Sequence, residues 1–224
     1  MMNLLTTLGA ITALATAPLA VSLQEAAPAV PAITVPAAMT DAERSAILKD
    51  VSRAMSDVKT ASGKFEQLAP DYSVSTGSFA LSRPGKVRFD YDDPTPLVIV
   101  SNGATVAMQD SELETTDRVP LGSTPLSLLL DDSLDFENEA RVLDVVRANG
   151  RIAVTLQDRS GEMDGTLTLI LSETTRELLG WRTEDSGGNI TSVQLIGVEY
   201  GIVQPLRAEA EAWREAAQPW GVRR

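Results

Sequence analysis

Short segments in which apolar and polar residues alternate fill the chain from residue 61 onward, and this pattern constrains the fold more than any other feature. Successive side chains of a strand point to opposite faces, so the alternation predicts strands with one apolar face each. Turn sequences separate the segments, the clearest being Asn102-Gly103, followed by Ser160-Gly161 and Gly187-Gly188-Asn189. The apolar positions are Phe79, Leu81, Val87, Phe89, Tyr91, Ile152, Val154, Leu156, Leu167, Leu169, Leu171 and, less regularly, Leu179 and Trp181. We therefore expect nine to eleven short antiparallel strands in a meander.

One long amphipathic helix precedes the strands. Thr40-Asp41-Ala42-Glu43 has the pattern of a capping box, which predicts a helix from about 41 to 59. Its apolar positions follow at spacings of four, four and three: Ile47, Val51, Met55 and Val58. The side chains expected to face solvent are Lys49, Asp50, Arg53 and Asp57.

Two further helices are predicted. The first runs from about Pro125 to Leu130, where Ser123 or Thr124 can cap and proline suits the first turn. The second covers Pro205 to Gln218, a stretch of strong helix formers that ends before a proline. We assign residues 40–204 to one domain and 205–224 to a C-terminal helical tail.

The N-terminal region is typical of an exported protein. The first 22 residues carry no charged side chain, and Leu4 to Leu19 is an apolar stretch too short to span a membrane comfortably. Ala20-Val21-Ser22 offers the small residues that a signal peptidase reads. We expect residues 1–22 to be a signal peptide, with an uncleaved anchor as the alternative, and residues 23–39, which hold three prolines, to be a linker.

Composition excludes most catalytic chemistry. The chain has no histidine and no cysteine, so it cannot build a Ser/His/Asp triad, a cysteine nucleophile or a zinc site of the usual ligands. A net charge of −12 argues against a nucleic-acid partner. Carboxylate-only hydrolysis stays possible in principle, but the acidic clusters lie beside turns or on polar strand faces, which favours a solvated role: Asp90, Asp92, Asp93, Asp131, Asp132 and Asp135. We expect no enzymatic activity, no metal and no cofactor.

About ten strands with one apolar face each need more cover than one long helix provides. A strongly curved sheet with the helix as a lid satisfies the pattern and encloses a concave apolar space. Aliphatic walls suit acyl chains, because each methylene moved out of water contributes about 0.8 kcal/mol. The same alternation also fits a sandwich or barrel whose inward side chains simply pack together, so periodicity alone does not establish a cavity.

Several motifs carry a resemblance to a known family. Residues 77–91 (GSFALSRPGKVRFDY) join a glycine, an apolar strand, an Arg-Pro pair and a strand with aromatic residues. Asp93-Pro94, residues 97–103 (LVIVSNG) and Thr124-Pro125-Leu126 continue the match. In these motifs the chain resembles the LolA family of outer-membrane lipoprotein carriers.

The resemblance implies a mainly β fold, a curved antiparallel sheet forming an unclosed β-barrel of about eleven strands with a helical lid. It implies a monomeric periplasmic chaperone that holds the acyl chains of lipoproteins and shuttles them from the inner to the outer membrane. The implied partners are an inner-membrane lipoprotein-releasing transporter complex and an outer-membrane acceptor or the outer membrane itself. A lipid-sensing regulatory protein on the same fold is the alternative function.

The resemblance also assigns residues. Arg83 of the Arg-Pro pair is expected to hydrogen-bond the lid and keep the empty protein closed. It follows Phe79 and Leu81 at intervals of two residues, so its side chain is expected on the same apolar face. A strand-end arginine that reaches water is the alternative. The positions expected to line the acyl cavity and lid are Val51, Met55, Val58, Phe79, Leu81, Val87, Phe89 and Leu129, each of which can also be ordinary core.

Overall fold

The structure is a computed structural model that describes residues 39–131, 136, 140–161 and 163–201. The predicted signal peptide, nearly all of the linker and the predicted C-terminal helix over Pro205 to Gln218 lie outside the described residues, as do Asp132 and Asp135. These expectations therefore stay predictions.

In the part of the chain that the structure describes, eleven antiparallel strands form a single sheet. The strands are β1 Thr60–Leu68, β2 Val74–Ser82, β3 Lys86–Tyr91, β4 Leu97–Asn102, β5 Thr105–Asp110, β6 Thr115–Pro120, β7 Ala140–Ala148, β8 Arg151–Asp158, β9 Thr166–Ser172, β10 Leu178–Glu184 and β11 Ile190–Tyr200. Their order in space is β6-β5-β4-β3-β2-β1-β11-β10-β9-β8-β7, and the edge strands β6 and β7 do not pair with each other. The predicted unclosed barrel of about eleven strands is confirmed.

The strand order differs from a simple meander. Strand β1 pairs with both β2 and β11, so two meanders meet at the centre of the sheet, and the chain passes between the two sheet edges after β6. Alternation along a strand shows which residues share a face, but it carries no information on pairing between distant strands. The pairing of β1 with β11 could therefore not be predicted from the sequence pattern.

The predicted apolar faces are confirmed most clearly in β8 and β9. Ile152, Val154 and Leu156 have no exposed surface, and the apolar residues of β9 opposite them are equally buried. On the opposite face Thr155 and Thr168 hydrogen-bond each other across the strands at 3.0 Å. One face of the sheet therefore forms the core, while the other carries polar side chains.

Helix α1 (Asp41–Asp57) packs its apolar stripe against this core face. The capping box forms as predicted: the Thr40 hydroxyl accepts a hydrogen bond from the Glu43 backbone, and the Glu43 carboxylate accepts from Thr40 N at 2.9 Å. The buried residues are Ile47, Leu48, Val51 and Met55, and the four side chains predicted to face solvent are exposed. No helix among the described residues is long and apolar enough to cross a membrane.

Helix α2 (Leu126–Leu130) is shorter than α1 and begins differently from the prediction. Neither Ser123 nor Thr124 caps it, because both hydroxyls donate to carbonyl oxygens of the preceding 3₁₀ turn, Leu121–Ser123, or of the residue before it. Pro125 occupies the cap position without a side-chain hydrogen bond. The turn before the helix thus uses the hydroxyls that a simple cap would need.

Strand β10 also differs from the prediction. Leu179 was expected to share the apolar face with Trp181, but the pairing of β10 with β9 shifts register between Leu178 and Gly180. Such a bulge breaks the period of two, since one extra residue is accommodated in one strand. As a result Leu178, not Leu179, contributes to the cavity described below.

Aromatic side chains pack together on the core face. The ring of Phe65 meets those of Phe89 and Tyr91 edge-on, at centroid distances of 5.3 and 5.0 Å, and Phe89 lies 6.0 Å from Trp181. Edge-to-face pairs of this kind add to the stabilisation that burial provides. The rings connect β1, β3 and β10, which are not adjacent in the sheet, beside the cavity.

Candidate functional site

An apolar cavity of about 210 Å³ lies between the core face of the sheet and the two helices. Its wall is mostly aliphatic and aromatic, with polar side chains confined to Arg83, to the turn between β9 and β10, and to Tyr200. The side chains predicted from the sequence that line it are Met55, Val58, Phe79, Leu81, Arg83, Val87, Phe89 and Leu129. The space that remains is therefore suited to an apolar guest.

Val51 lies apart from this group. It is completely buried in the core and does not border the cavity, because it lies one helical turn before Met55 in α1. The structure thus brings together every predicted wall and lid residue except Val51. Their contact with a bound molecule stays a prediction.

Sequence reasoning missed the wall that β10 and β11 contribute. Leu178, Leu195 and Val198 line the cavity, as does the turn Thr175-Arg176-Glu177 between β9 and β10. The alternation of Val193 and Leu195 could have revealed part of this wall. Val198 is out of step with them, because the pairing of β11 with β1 also shifts register.

Arg83 connects the sheet to both helices. Its side chain is nearly buried, with 9% of its surface exposed. The guanidinium Nη1 donates to the carbonyl oxygens of Met55 and of Val58, the latter at 2.7 Å, and Nη2 donates to the Leu129 oxygen at 2.9 Å. One side chain at the end of β2 therefore holds the C-terminal ends of α1 and α2 together.

These acceptors suit a cation. The last carbonyls of a helix have no partner within the helix and carry partial negative charge. The last turn of α1 contains no basic residue of its own, so Arg83 supplies the missing positive charge from the sheet. A guanidinium presents several donors in a fixed plane, which allows it to serve three carbonyls at once.

The turn that carries Arg83 is itself fixed by backbone contacts. Arg83 N donates to Lys59 O, and Gly85 N donates to Leu130 O, both at 2.9 Å. The completely buried hydroxyl of Ser101 donates to Gly85 O at 2.6 Å. The β2–β3 turn is thus the point where sheet, α1 and α2 meet.

Glycine is required at position 85 for two reasons. Its φ of +71° is a conformation that other residues seldom adopt, and a Cβ there would lie 2.5 Å from the Cα of Gly103. A larger residue would therefore push the β2–β3 and β4–β5 turns apart. Gly85 allows Arg83 to be held at this position.

Helix α1 also contacts the sheet away from Arg83. Near its N-terminal end, Nη2 of Arg44 donates to Val142 O in β7 at 3.1 Å. On its solvent side, Asp50 lies 4.0 Å from Nη2 of Arg176 in the β9–β10 turn. Both Arg83 and Arg176 border the cavity, but of these attachments Arg83 is the one that joins both helices.

Several polar residues of the cavity wall lie at the β9–β10 turn. Thr175 Oγ1 donates to Glu177 Oε2 at 2.8 Å. Burial raises the pKa of the nearby Tyr200 hydroxyl, and the negative charge of Glu177 raises it further. Among the described residues of the wall, Glu177 is the one carboxylate, whereas carboxylate-only hydrolysis needs two.

The described members of the acidic clusters named from the sequence do not line the cavity. The Asp90 carboxylate accepts a hydrogen bond from Nε of Arg88 at 2.7 Å, and Asp92 accepts from the Thr76 hydroxyl at 2.7 Å. Within the described part of the chain, no group of three or more carboxylates is arranged to hold a metal ion. These carboxylates are used in local surface contacts.

Comparison with known proteins places the chain in a family. Residues 56–205 match the family model of the outer membrane lipoprotein carrier protein LolA. An outer-membrane lipoprotein carrier protein of Alkalilimnicola ehrlichii is 30% identical over 180 residues, which cover 75% of this chain and 81% of that protein. One of Methylococcus capsulatus is 32% identical over 157 residues, which cover 66% of this chain and 74% of that protein.

Among solved structures, that of a LolA superfamily protein from Nitrosomonas europaea superposes with a TM-score of 0.40 and 8% identity, covering 71% of this chain and 96% of that one. The match of the family model extends over more than half of the sequence, from the end of α1 through the whole sheet. This chain belongs to the LolA family of outer membrane lipoprotein carrier proteins.

Proposed function

We propose that this protein binds the acyl chains of lipoproteins in the apolar cavity and carries them through the periplasm from the inner to the outer membrane. The main observation in support is an apolar cavity under two helices. A single buried arginine of the cavity wall donates hydrogen bonds to the ends of both helices. The relatives described above are named lipoprotein carriers, which supports the same role.

The wall supplies the affinity. Each methylene that moves from water into contact with residues such as Leu81, Val87 and Leu195 contributes about 0.8 kcal/mol, so a few partly enclosed chains bind substantially. The contact is non-directional, and one cavity can therefore accept acyl chains from many lipoproteins. Wall and lid residues with this role are Met55, Val58, Phe79, Leu81, Val87, Phe89 and Leu129, with Val51 supporting Met55 from the core.

Arg83 sets how tightly cargo is held. When the protein is empty, its three hydrogen bonds keep α1 and α2 closed over the sheet; acyl chains displace these contacts and open the lid. A ligand shifts such an equilibrium only through its different affinities for the two forms. Closure therefore opposes binding, and a moderate closure free energy allows cargo to be released.

Directed transfer needs partners. The sequence contains no glycine-rich phosphate-binding motif, so the energy for loading comes from an inner-membrane lipoprotein-releasing transporter. Unloading then requires an acceptor at the outer membrane that binds the acyl chains more tightly.

Native mass spectrometry of the protein recovered from a periplasm tests the proposal. We expect adducts whose masses match acylated proteins. Leu195→Glu, which places a charge in the cavity, should remove them, whereas Ile196→Glu should not, since Ile196 is the next residue of β11 and is 46% exposed. A mass without adducts for the unaltered protein, together with no uptake of an offered lipoprotein, would contradict the carrier function.

A further inference from the structure

One turn of the cavity wall differs in chemistry from the rest of that wall. Thr175, Arg176 and Glu177 line the cavity from the β9–β10 turn, where Thr175 and Glu177 are exposed to solvent. The remaining wall is apolar apart from Arg83 and Tyr200. A long apolar molecule with one polar end would therefore place that end beside this turn.

Arg176 is the residue of the turn with unused hydrogen-bonding capacity. Its Nη1 atom is fully buried and has no hydrogen-bond partner among the residues that the structure describes. Its Nη2 atom lies 4.0 Å from Asp50, at the outer limit of an ion pair. A buried guanidinium N–H without an acceptor is unfavourable, so an acceptor delivered to this position would be bound selectively.

We propose that Arg176 binds the carbonyl oxygen at the head of an acyl chain, as an ester or an amide, while the chain occupies the cavity. The inference rests on the proposed function and adds a polar subsite to it. Arg83 is already engaged by three carbonyls of the helices, so it is the less suitable donor.

The charges around Arg176 favour a neutral acceptor over an anion. Asp50 approaches it from α1, and Glu177 follows it in the turn and borders the same cavity. These two carboxylates already offset its single positive charge, and a carboxylate ligand would add a like charge beside them. A carbonyl oxygen accepts the hydrogen bond without adding charge. The site should therefore prefer chains in ester or amide linkage to free fatty acids.

The subsite is connected to the lid. Asp50 belongs to α1, so movement of α1 away from the sheet separates Asp50 from Arg176 and leaves both terminal nitrogens available to the ligand. Opening and carbonyl binding thus involve the same side chain. A lid contact is replaced by a cargo contact.

Displacement of a fluorescent apolar dye tests the proposal. The four competing probes have the same carbon-chain length: dodecane, methyl laurate, N-methyl lauramide and laurate. For each protein, the affinity for a polar probe is divided by the affinity for dodecane, which gives the relative affinity. The relative affinities of the unaltered protein and a variant are then compared, so that differences in probe solubility cancel. Arg176→Gln removes the donor. Asp50→Asn removes the lid contact but keeps the donor, and Arg182→Gln removes an exposed cation from β10.

We expect Arg176→Gln to lower the relative affinity for the ester or the amide about tenfold, the effect of one charge-assisted hydrogen bond. Arg182→Gln should leave it unchanged, and Asp50→Asn should raise it, because the competing lid contact is lost while the donor remains. Arg176→Lys should keep part of the affinity, which also covers a failure of the Gln variant to fold. The ester and amide arms show which linkage is preferred.

Two results would overturn the inference alone: equal ratios in the unaltered protein and Arg176→Gln while all probes still bind, or a larger Arg176-dependent gain for laurate than for the neutral probes. If no probe displaces the dye from the unaltered protein, the proposed function itself fails.

Discussion

Replacing Arg83 by leucine removes the three hydrogen bonds that join the sheet to α1 and α2. A net contribution of about 1 kcal/mol for each bond gives a loss of about 3 kcal/mol in the free energy of closure. This corresponds to a change of roughly two orders of magnitude in the ratio of closed to open molecules. Because leucine is apolar, the substitution also adds no charge to the cavity.

The Arg83→Leu variant is expected to bind cargo more tightly than the unaltered protein. If the open form binds acyl chains, the apparent Kd equals the intrinsic Kd divided by the open fraction. Arg83→Leu should therefore raise the affinity for a fluorescent acyl probe by up to about a hundredfold, and backbone amides of α1 should exchange hydrogen faster in the empty protein. Arg88→Leu is the matched control, because Arg88 lies on the other face of the sheet and pairs with Asp90.

The outcome is decisive when the variant folds, which thermal unfolding establishes. An Arg83→Leu protein with an affinity within a factor of two of the unaltered protein, and with unchanged exchange in α1, would show that Arg83 does not hold the lid. An increase in the Arg88→Leu control of the same size would refute a specific role in the same way.

Three further predictions concern stability. Hydrogen bonds from the side chain and backbone of Asn189 lower the pKa of Asp185 below 3.8, so this turn is stabilised above that pH and the stabilisation is lost as the pH falls through the lowered pKa. Asp185→Ala should therefore unfold more easily than the unaltered protein at neutral pH but not in strong acid, as measured by denaturant titration at both. Phe65→Ala should cost about 3–5 kcal/mol of unfolding free energy in urea, because the ring is 2% exposed and contacts two other rings; a loss below about 1 kcal/mol would contradict the packing described here. Gly85→Ala should lower the melting temperature more than Gly188→Ala, since both positions have positive φ but only the former meets backbone within 4 Å; equal shifts would show that the close approach at position 85 has no cost.

Periodicity predicted the features that depend on neighbouring residues. The alternation of Val87 and Phe89 with polar residues is a property of one strand, and the same holds for the capping box at Thr40. Both follow from backbone geometry alone, so both were found. The placement of Arg83 on the apolar side likewise follows from its parity with Phe79.

Features that depend on distant or irregular contacts were not predictable in this way. The bulge that moves Leu178 onto the cavity wall, and the capture of the Thr124 hydroxyl by the preceding turn, are local departures from ideal patterns. The Leu129 carbonyl accepts a hydrogen bond from Arg83, which lies 46 residues away in the sequence. Periodicity does not predict contacts between residues so far apart. Arg176 was missed because a turn has no repeating pattern to mark it.

If the lid opens as proposed, the arrangement at the β2–β3 turn explains how it can do so while the fold is kept. Helix α2 has five residues and α1 has 17, lengths at which a helix depends on tertiary contacts for its stability. Both helices end at the same turn, so Arg83 makes hydrogen bonds to both helices at one point of the cavity wall. The sheet is continuous over the eleven described strands, and its strands pair through backbone hydrogen bonds rather than through the Arg83 side chain. In the proposed carrier function, the Arg83 hydrogen bonds account for about 3 kcal/mol of the cost of opening, and the apolar contacts of α1 add to it. Local opening of this kind needs less than the global free energy of unfolding.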